Sequence, residues 1–433
     1  MEKALTVDLQ CEETELEYRP ESTLPDLHDR IALGEPVSAE NLLRIERDLN
    51  LHHAKWDTHV GDGPVLSPQP MLIHKREWHW LSATAEAAAR ELLALEREIA
   101  LDQDLQSLIG IPPNLRGRIQ PDDYRSALRT LRFDFHPTTT RWVISEVNSD
   151  VPGGFGEASS LPCLYSRYTD AIMLPGPLPL KAWGDALQSQ LSGRTAALLY
   201  APGFLEDEQV VRILARELRE RGFDNHLIQS PSELTWEHGC ASFRSDPAVK
   251  IDLVVRFYRV EWLSQLPGWT GWKHIFRGKG PTRVINPAIA AISESKRLGL
   301  CFHHLSGRAA TFRRLLPQCR EPSEIRGLPK ADWALKATYS NTGDEVHLGT
   351  DMTFRDWSRL LAKATRDPRR WVAQRRFETL SLPSMAGPVK PCVGVFVIAG
   401  RAAGAYVRLS RRQITDACAL ETPLFIMNPK EDQ

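Results

Sequence analysis

Few of the signals that usually announce a function are present in this chain of 433 residues. Its seven cysteines (Cys11, Cys163, Cys240, Cys301, Cys319, Cys392, Cys418) are scattered, and none falls in a C-x-x-C pair. That spacing offers neither a zinc site nor a disulfide framework, so reduced and mostly buried thiols are expected. Charge of one sign is not in excess either: 54 Lys+Arg stand against 55 Asp+Glu, a net of −1. Nucleic-acid proteins usually carry a basic surplus, so no nucleic-acid partner is expected. No apolar run approaches the ~18 residues of a membrane helix, so no membrane partner is expected. The nearest candidate, Pro391–Gly400, is short and β-rich and reads as a core strand. The acidic opening MEKALTVDLQCEETELEYRPE lacks an apolar signal segment, and a cytoplasmic location is expected. A phosphate-binding P-loop is missing as well. Gly271 to Lys279 holds six residues between its glycines rather than four, and Gly280 stands where Ser or Thr is needed. H-E-x-x-H, G-x-S-x-G and internal repeats are absent.

What is there concentrates in Arg132–Pro162, RFDFHPTTTRWVISEVNSDVPGGFGEASSLP. Arg132–Phe135 and Trp142–Asn148 alternate polar and apolar residues, which predicts two strands around a turn at His136-Pro137 and the threonines. Period-two alternation puts Arg132 and Asp134 on one face, and Glu146 and Asn148 on one face of the second strand. If the strands pair, Asp134, Glu146 and Asn148 converge. Two carboxylates and an amide oxygen are hard ligands of the kind Mg²⁺ prefers. Magnesium often takes further ligands from phosphate, which points to a nucleoside triphosphate, with Arg132 as a fork-shaped donor beside it. The alternative is the solvated face of an ordinary hairpin. Gly154-x-Gly156-x-x-Ser159 falls one residue short of a dinucleotide fingerprint, and the strand before it carries acids where a pyrophosphate would sit.

Elsewhere the periodicity predicts helices over 36–53 (capped by Ser38), 79–108 and 122–130, with 1–35 irregular. From about 194 a strand (195–200), a helix (206–221) and strands at 226–228 and 251–258 predict a parallel βαβ unit. From about 285 come a helix carrying Lys296, a strand over 333–338 with Lys336, a polar loop (340–346) with Gly343, a strand with Gln374, and a hairpin ending in Arg408. Lys336 before a glycine-containing loop fits a phosphate clamp or a surface lysine. Lys296 and Arg408 stay open in the same way, and Gln374 fits a ligand or a neighbouring backbone equally. The adjacent pairs His52-His53 and His303-His304 diverge in regular structure and read as packing or surface residues. Trp56–Asp62 either lines a cleft or packs.

In combination these blocks resemble the glutathionylspermidine synthase family. Arg132, Asp134, Glu146 and Asn148 match R-x-D, an acid twelve residues on, and E-x-N. Asn148-Ser-Asp150-Val-Pro152 is similar to N-A-D-x-P, and Tyr258–Trp262 to Y-x-x-E-W. Asn286-Pro287, Ser293–Lys296 and Trp333–Val346 follow in the family's order, then Gln374, Gly394, Gly400, Gly404 and Arg408. The resemblance covers roughly 130–415. It implies an α/β, circularly permuted ATP-grasp-like fold with a βαβ pre-ATP-grasp-type unit. The division it implies is an N-terminal, mostly helical region (1–130), a metal-binding hairpin segment (131–190), the βαβ unit (191–284) and a nucleotide-binding segment (285–433). It implies Mg²⁺ on Asp134, Glu146 and Asn148, and ATP on Lys296, Lys336, Gly343 and Gln374. Arg132 and Arg408 would be catalytic, stabilising the transferred phosphoryl group. The activity implied is ATP-dependent joining of a small-molecule carboxylate to an amine. One departure bears on substrate. Asp150-Val-Pro152-Gly153-Gly154 stands where the family often reads D-T-P-T-S, so the hydroxyls that would contact a peptide are gone and glutathione is not the expected acid.

Overall fold

A computed structural model describes residues 27–119, 121, 128–169, 174–276, 280–306, 309–340, 343 and 345–427. The helix expected over 122–130 lies largely outside these residues. Thr130 already belongs to a strand.

The site is carried by a five-stranded antiparallel sheet. Its order is Leu420–Thr422, Arg401–Ser410, Lys390–Ile398, Thr130–Pro137, Trp142–Asn148, so the early hairpin and the late hairpin are neighbours in space. Phe133, Phe135, Trp142, Ile144 and Val147 share one core cluster with Leu81, Ala85 and Ala88 of the long helix Lys75–Ala100. Both phenylalanines are fully buried, each worth roughly 1.5–3 kcal/mol. Strict alternation would place Trp142 and Ile144 on the same face as Glu146. A bulge prevents this: Asp134 pairs with Glu146 while Phe135 pairs with Ile144, leaving Ser145 as the extra residue. The bulge lets Ile144 and Val147 both reach the core while Ser145 and Glu146 both face away from it.

Three departures from the expected elements have local causes. His136-Pro137 is the end of the first strand rather than the turn, which falls at Thr138–Arg141. A terminal proline is tolerated because the ladder no longer needs its N–H. The helix expected over 79–108 is two helices, Lys75–Ala100 and Gln103–Leu108. Asp102 interrupts them and caps the second by accepting from the Asp104 and Leu105 N–H groups. Within 1–35, Ile31–Leu33 is a strand, paired with Met71–Ile73.

A four-stranded parallel sheet, in the order Arg283–Ile285, Leu253–Phe257, Thr195–Tyr200, Asp224–Ile228, forms the predicted βαβ unit, with the helix Leu205–Glu220 as a crossover. A second antiparallel sheet runs Cys319–Arg320, Trp371–Arg375, Trp333–Ala337, Val346–Leu348. It carries Lys336 and Gln374 and stands across a pocket from the five-stranded sheet.

Several residues of the family-like blocks join these layers. Asn286 donates to the carbonyls of Thr130 and Ser149 and accepts from the Thr130 N–H. Asp150 is buried, pairs with Arg256 and accepts from the Val260 N–H at 2.9 Å. Ser293 donates to Glu96 and Ser149. The Asn286, Asp150 and Ser293 side chains are buried and hydrogen-bonded, so they fix the register of the hairpin against the parallel sheet.

Candidate active site

The pairs Arg132↔Asn148 and Asp134↔Glu146 put all four hairpin residues on one face. Asp134 is fully buried. It accepts from Arg132 through both oxygens (2.8 and 3.0 Å), from Arg408 at 2.8 Å and from the Asn148 amide at 3.2 Å. Burial opposes its ionisation, but the two guanidiniums outweigh it and hold the carboxyl far below its ordinary range. Gly394 on the adjoining strand keeps this arrangement open. A Cβ there would stand 2.8 Å from Arg132 Cδ and 3.0 Å from Asp134 Oδ1.

Glu146 lies 3.0 Å from Lys296 Nζ. Burial again opposes its charge, and Lys296 and Lys336 overcome it. Lys296 is not on a helix. The helix Ala290–Glu294 ends before it because Ser295 turns extended, its hydroxyl donating to Ile109 O and the Lys296 N–H to Thr338 O. That turn aims Lys296 at Glu146 and at the carbonyl of Ser340, 2.9 Å away. Lys336 is buried, 3.4 Å from Ser145 O. Its pKa is lowered by burial, with Lys296 adding to the effect. A desolvated ammonium with so weak a partner is a strong attractor for an anion.

Lys296, Lys336, Gly343, Gln374, Asp134, Glu146 and Arg408 line one pocket between the two antiparallel sheets. Gln374 touches Cys319 Sγ at 3.8 Å across the strand pair. Of the polar loop 340–346, Asn341, Thr342 and Asp344 lie outside the described residues. Arg132, Asn148, Glu146 and Arg408 also line a second, wider cleft. Glu146 and Arg408 therefore stand where the two cavities meet.

Three groups escaped the sequence. His136 lines the inner pocket and shares a hydrogen bond of 3.0 Å with Ser145. Alternation from Asp134 was the signal; Pro137 concealed it by reading as a turn. Burial pushes His136 down to about 4. Tyr406 lies beside both arginines and is reached by counting back two from Arg408. Lys55, buried and surrounded by Asp57, Glu157 and Glu421 at 3.0, 2.7 and 3.0 Å, carried no motif.

The trio's donors fit a hard divalent cation in kind. Both carboxylates are held ionised, and Glu146 Oε1 has no partner among the described residues. Asp134 Oδ2 is already shared by three donors, which leaves Glu146 as the more open ligand. Among the described residues no cluster of three His, Cys, Asp or Glu side chains is placed to hold a metal.

Fold and site together define an ATP-grasp-type α/β protein. A glutathione synthetase-like effector from Globodera pallida, solved in the apo form, superposes with a TM-score of 0.61 at 14% identity, covering 90% of this chain and 98% of that one. At that identity the likeness speaks for the fold. The family model described as glutathionylspermidine synthase pre-ATP-grasp matches residues 69–427, and the chain belongs to that family. Membership supports a ligase-type function in general. No curated protein sequence matches.

Proposed function

We propose that the chain is an ATP-dependent carboxylate–amine ligase, acting through an acyl phosphate on an acid other than glutathione. The observation that carries this reading is the ring of Lys296, Lys336, Arg132 and Arg408 around two ionised carboxylates at the junction of two cavities. The inner pocket suits the phosphates of ATP. A Mg²⁺ ion on Glu146, Asp134 and Asn148 would neutralise phosphate charge. Lys336 and Lys296 supply point charges, and the Arg132 and Arg408 forks face the junction, where charge spreads over the transferred phosphoryl group. An acid in the outer cleft would attack the γ-phosphorus through a carboxylate oxygen, releasing ADP. An amine then adds to the acyl carbon, phosphate leaves with the C–O bond electrons, and the ammonium proton is lost. No enzyme nucleophile is required.

A second reading is a nucleotide-binding protein that does not ligate. The saturation of Asp134 by Arg132, Arg408 and Asn148 favours it, since those contacts must loosen for a metal. Calorimetric titration of Mg-ATP into the wild type and Glu146→Ala tests the site. Binding that weakens at least tenfold in the variant, or without Mg²⁺, is expected. Equal binding with and without Mg²⁺ would remove the metal from the account. ADP release that requires an amine separates ligase from kinase; phosphorylated acid accumulating with no amine present would sink the ligase.

A further inference from the structure

Tyr406 lies in the strand Arg401–Ser410, opposite Gly394. Its ring centre is 5.4 Å from the Arg132 guanidinium carbon and 5.3 Å from that of Arg408. The ring also meets Gly154, which stands at φ +83°. A Cβ there would lie 2.5 Å from ring atom Cδ1. The phenol donates to Glu421 Oε1 at 2.7 Å, and the same oxygen accepts from Lys55 at 3.0 Å. Glu421 Oε2 is buried without a partner, so the pose of this carboxylate rests on Oε1 alone. Lys55 is itself held by Glu157 and Asp57. Lys55 and Asp57 precede residue 69, where the family match begins.

Two guanidiniums close together repel and would splay apart in a loose site. Asp134 gathers their ends, and an aromatic face attracts both cations from the side. The ring can do this only if its tilt is fixed, and among the described residues its hydroxyl has one partner, Glu421. We infer that Tyr406 is a positioning residue for Arg132 and Arg408, and that Lys55 fixes the Tyr406 ring through Glu421. The segment before the family-matched region thus shapes the reacting end of the site. The functional meaning of this inference rests on the proposed ligase reading.

Mg-ATP titration of the full chain tests it, with thermal melting alongside, for wild type, Tyr406→Leu, Tyr406→Phe, Lys55→Met and the Lys55→Met/Tyr406→Phe double variant. Removing the ring should weaken binding about tenfold. Tyr406→Phe and Lys55→Met should each weaken it about threefold, and the double variant no more than either single, because both cut one chain of contacts. Wild-type affinity in Tyr406→Leu overturns the inference, and multiplicative losses in the double variant overturn the Lys55 link. If Lys55→Met does not fold, Tyr406→Phe decides that link, and wild-type affinity overturns it. A folded wild type that fails to bind Mg-ATP sinks the ligase reading instead. Positioning is then read from the Arg132 and Arg408 Nε protons by NMR. Slow exchange lost in Tyr406→Leu and reduced in part in Tyr406→Phe supports it; wild-type exchange in Tyr406→Leu overturns it.

Discussion

The inner pocket and the outer cleft are both lined with carboxylates, and Asp134 in the one behaves in the opposite way to Asp207 in the other. Inside, Asp134 is fully buried and Glu146 partly so, yet both are held below their ordinary range because Arg132, Arg408, Lys296 and Lys336 stand against them. Outside, Asp207 is pushed up to about 7 by burial, which Arg259 alone opposes and Glu206 reinforces. The same side chain is thus a fixed anion in one half and a titrating group in the other. What decides is the number of cations within reach rather than the degree of burial. A pocket of fixed charges suits a ligand that is a polyanion throughout the neutral range, such as a polyphosphate. A cleft with a carboxyl that changes charge near neutrality suits a substrate that must lose a proton.

The sharpest way to break this contrast is to remove one charge from each half. Asp134→Asn keeps the shape but leaves two buried guanidiniums without their anion, and should cost about 3–5 kcal/mol of stability in urea denaturation. Asp57→Asn in the outer cleft should cost under ~1 kcal/mol, because Lys55 keeps Glu157 and Glu421 and Asp57 is partly exposed. Similar losses at the two positions would mean that the halves are not electrostatically distinct. Next in size is Gly154→Ala, at the wall between cleft and Tyr406. Positive φ and the contact with the ring together should cost about 2–3 kcal/mol. Gly153→Ala is the control: open space surrounds it, and a change within ~0.5 kcal/mol is expected. A neutral Gly154→Ala would show that the ring is free to shift.

The two halves also differ in how far the sequence discloses them. The inner pocket was readable because a strand's period of two is a local rule. Asp134, Glu146 and Asn148 reach one face from two short stretches, and Lys336 is centred in an obvious strand. Even there the Ser145 bulge was hidden, since an extra residue in one strand is defined only by its partner. The sequence pattern places Lys296 on a helix, but Ser295 ends that helix through a contact with Ile109, a residue 186 positions away. The outer cleft gave almost nothing. The Lys55–Glu421 pair spans 366 positions, and neither residue sits in a pattern. Of Trp56–Asp62, Asp57 and Val60 line the cleft, which chain order alone left undecided. The parallel sheet was legible as strand–helix–strand, whereas the union of the early and late hairpins in one sheet followed no local signal.

A smaller effect than those at Asp134 and Gly154 tests the contrast most directly, because it concerns sign. Asp207 has a folded-state pKa of about 7, above the ~3.9 of an unfolded chain. Below pH ~4 the carboxyl is protonated in both states, and its neutral form is fully compatible with burial. As pH rises through 7 the unfolded chain is already ionised while the folded one must charge a half-buried group, so stability is lost. Asn cannot ionise. Asp207→Asn should therefore match the wild type at pH 4 and exceed it by about 1–2 kcal/mol at pH 8, a figure reduced for solvent screening. Urea denaturation of both proteins at pH 4, 6 and 8 measures this. A variant less stable than wild type at pH 8 would mean that Asp207 is an anion paired with Arg259. The outer cleft would then be a second set of fixed charges, and the division between a polyphosphate half and a proton-releasing half would fall.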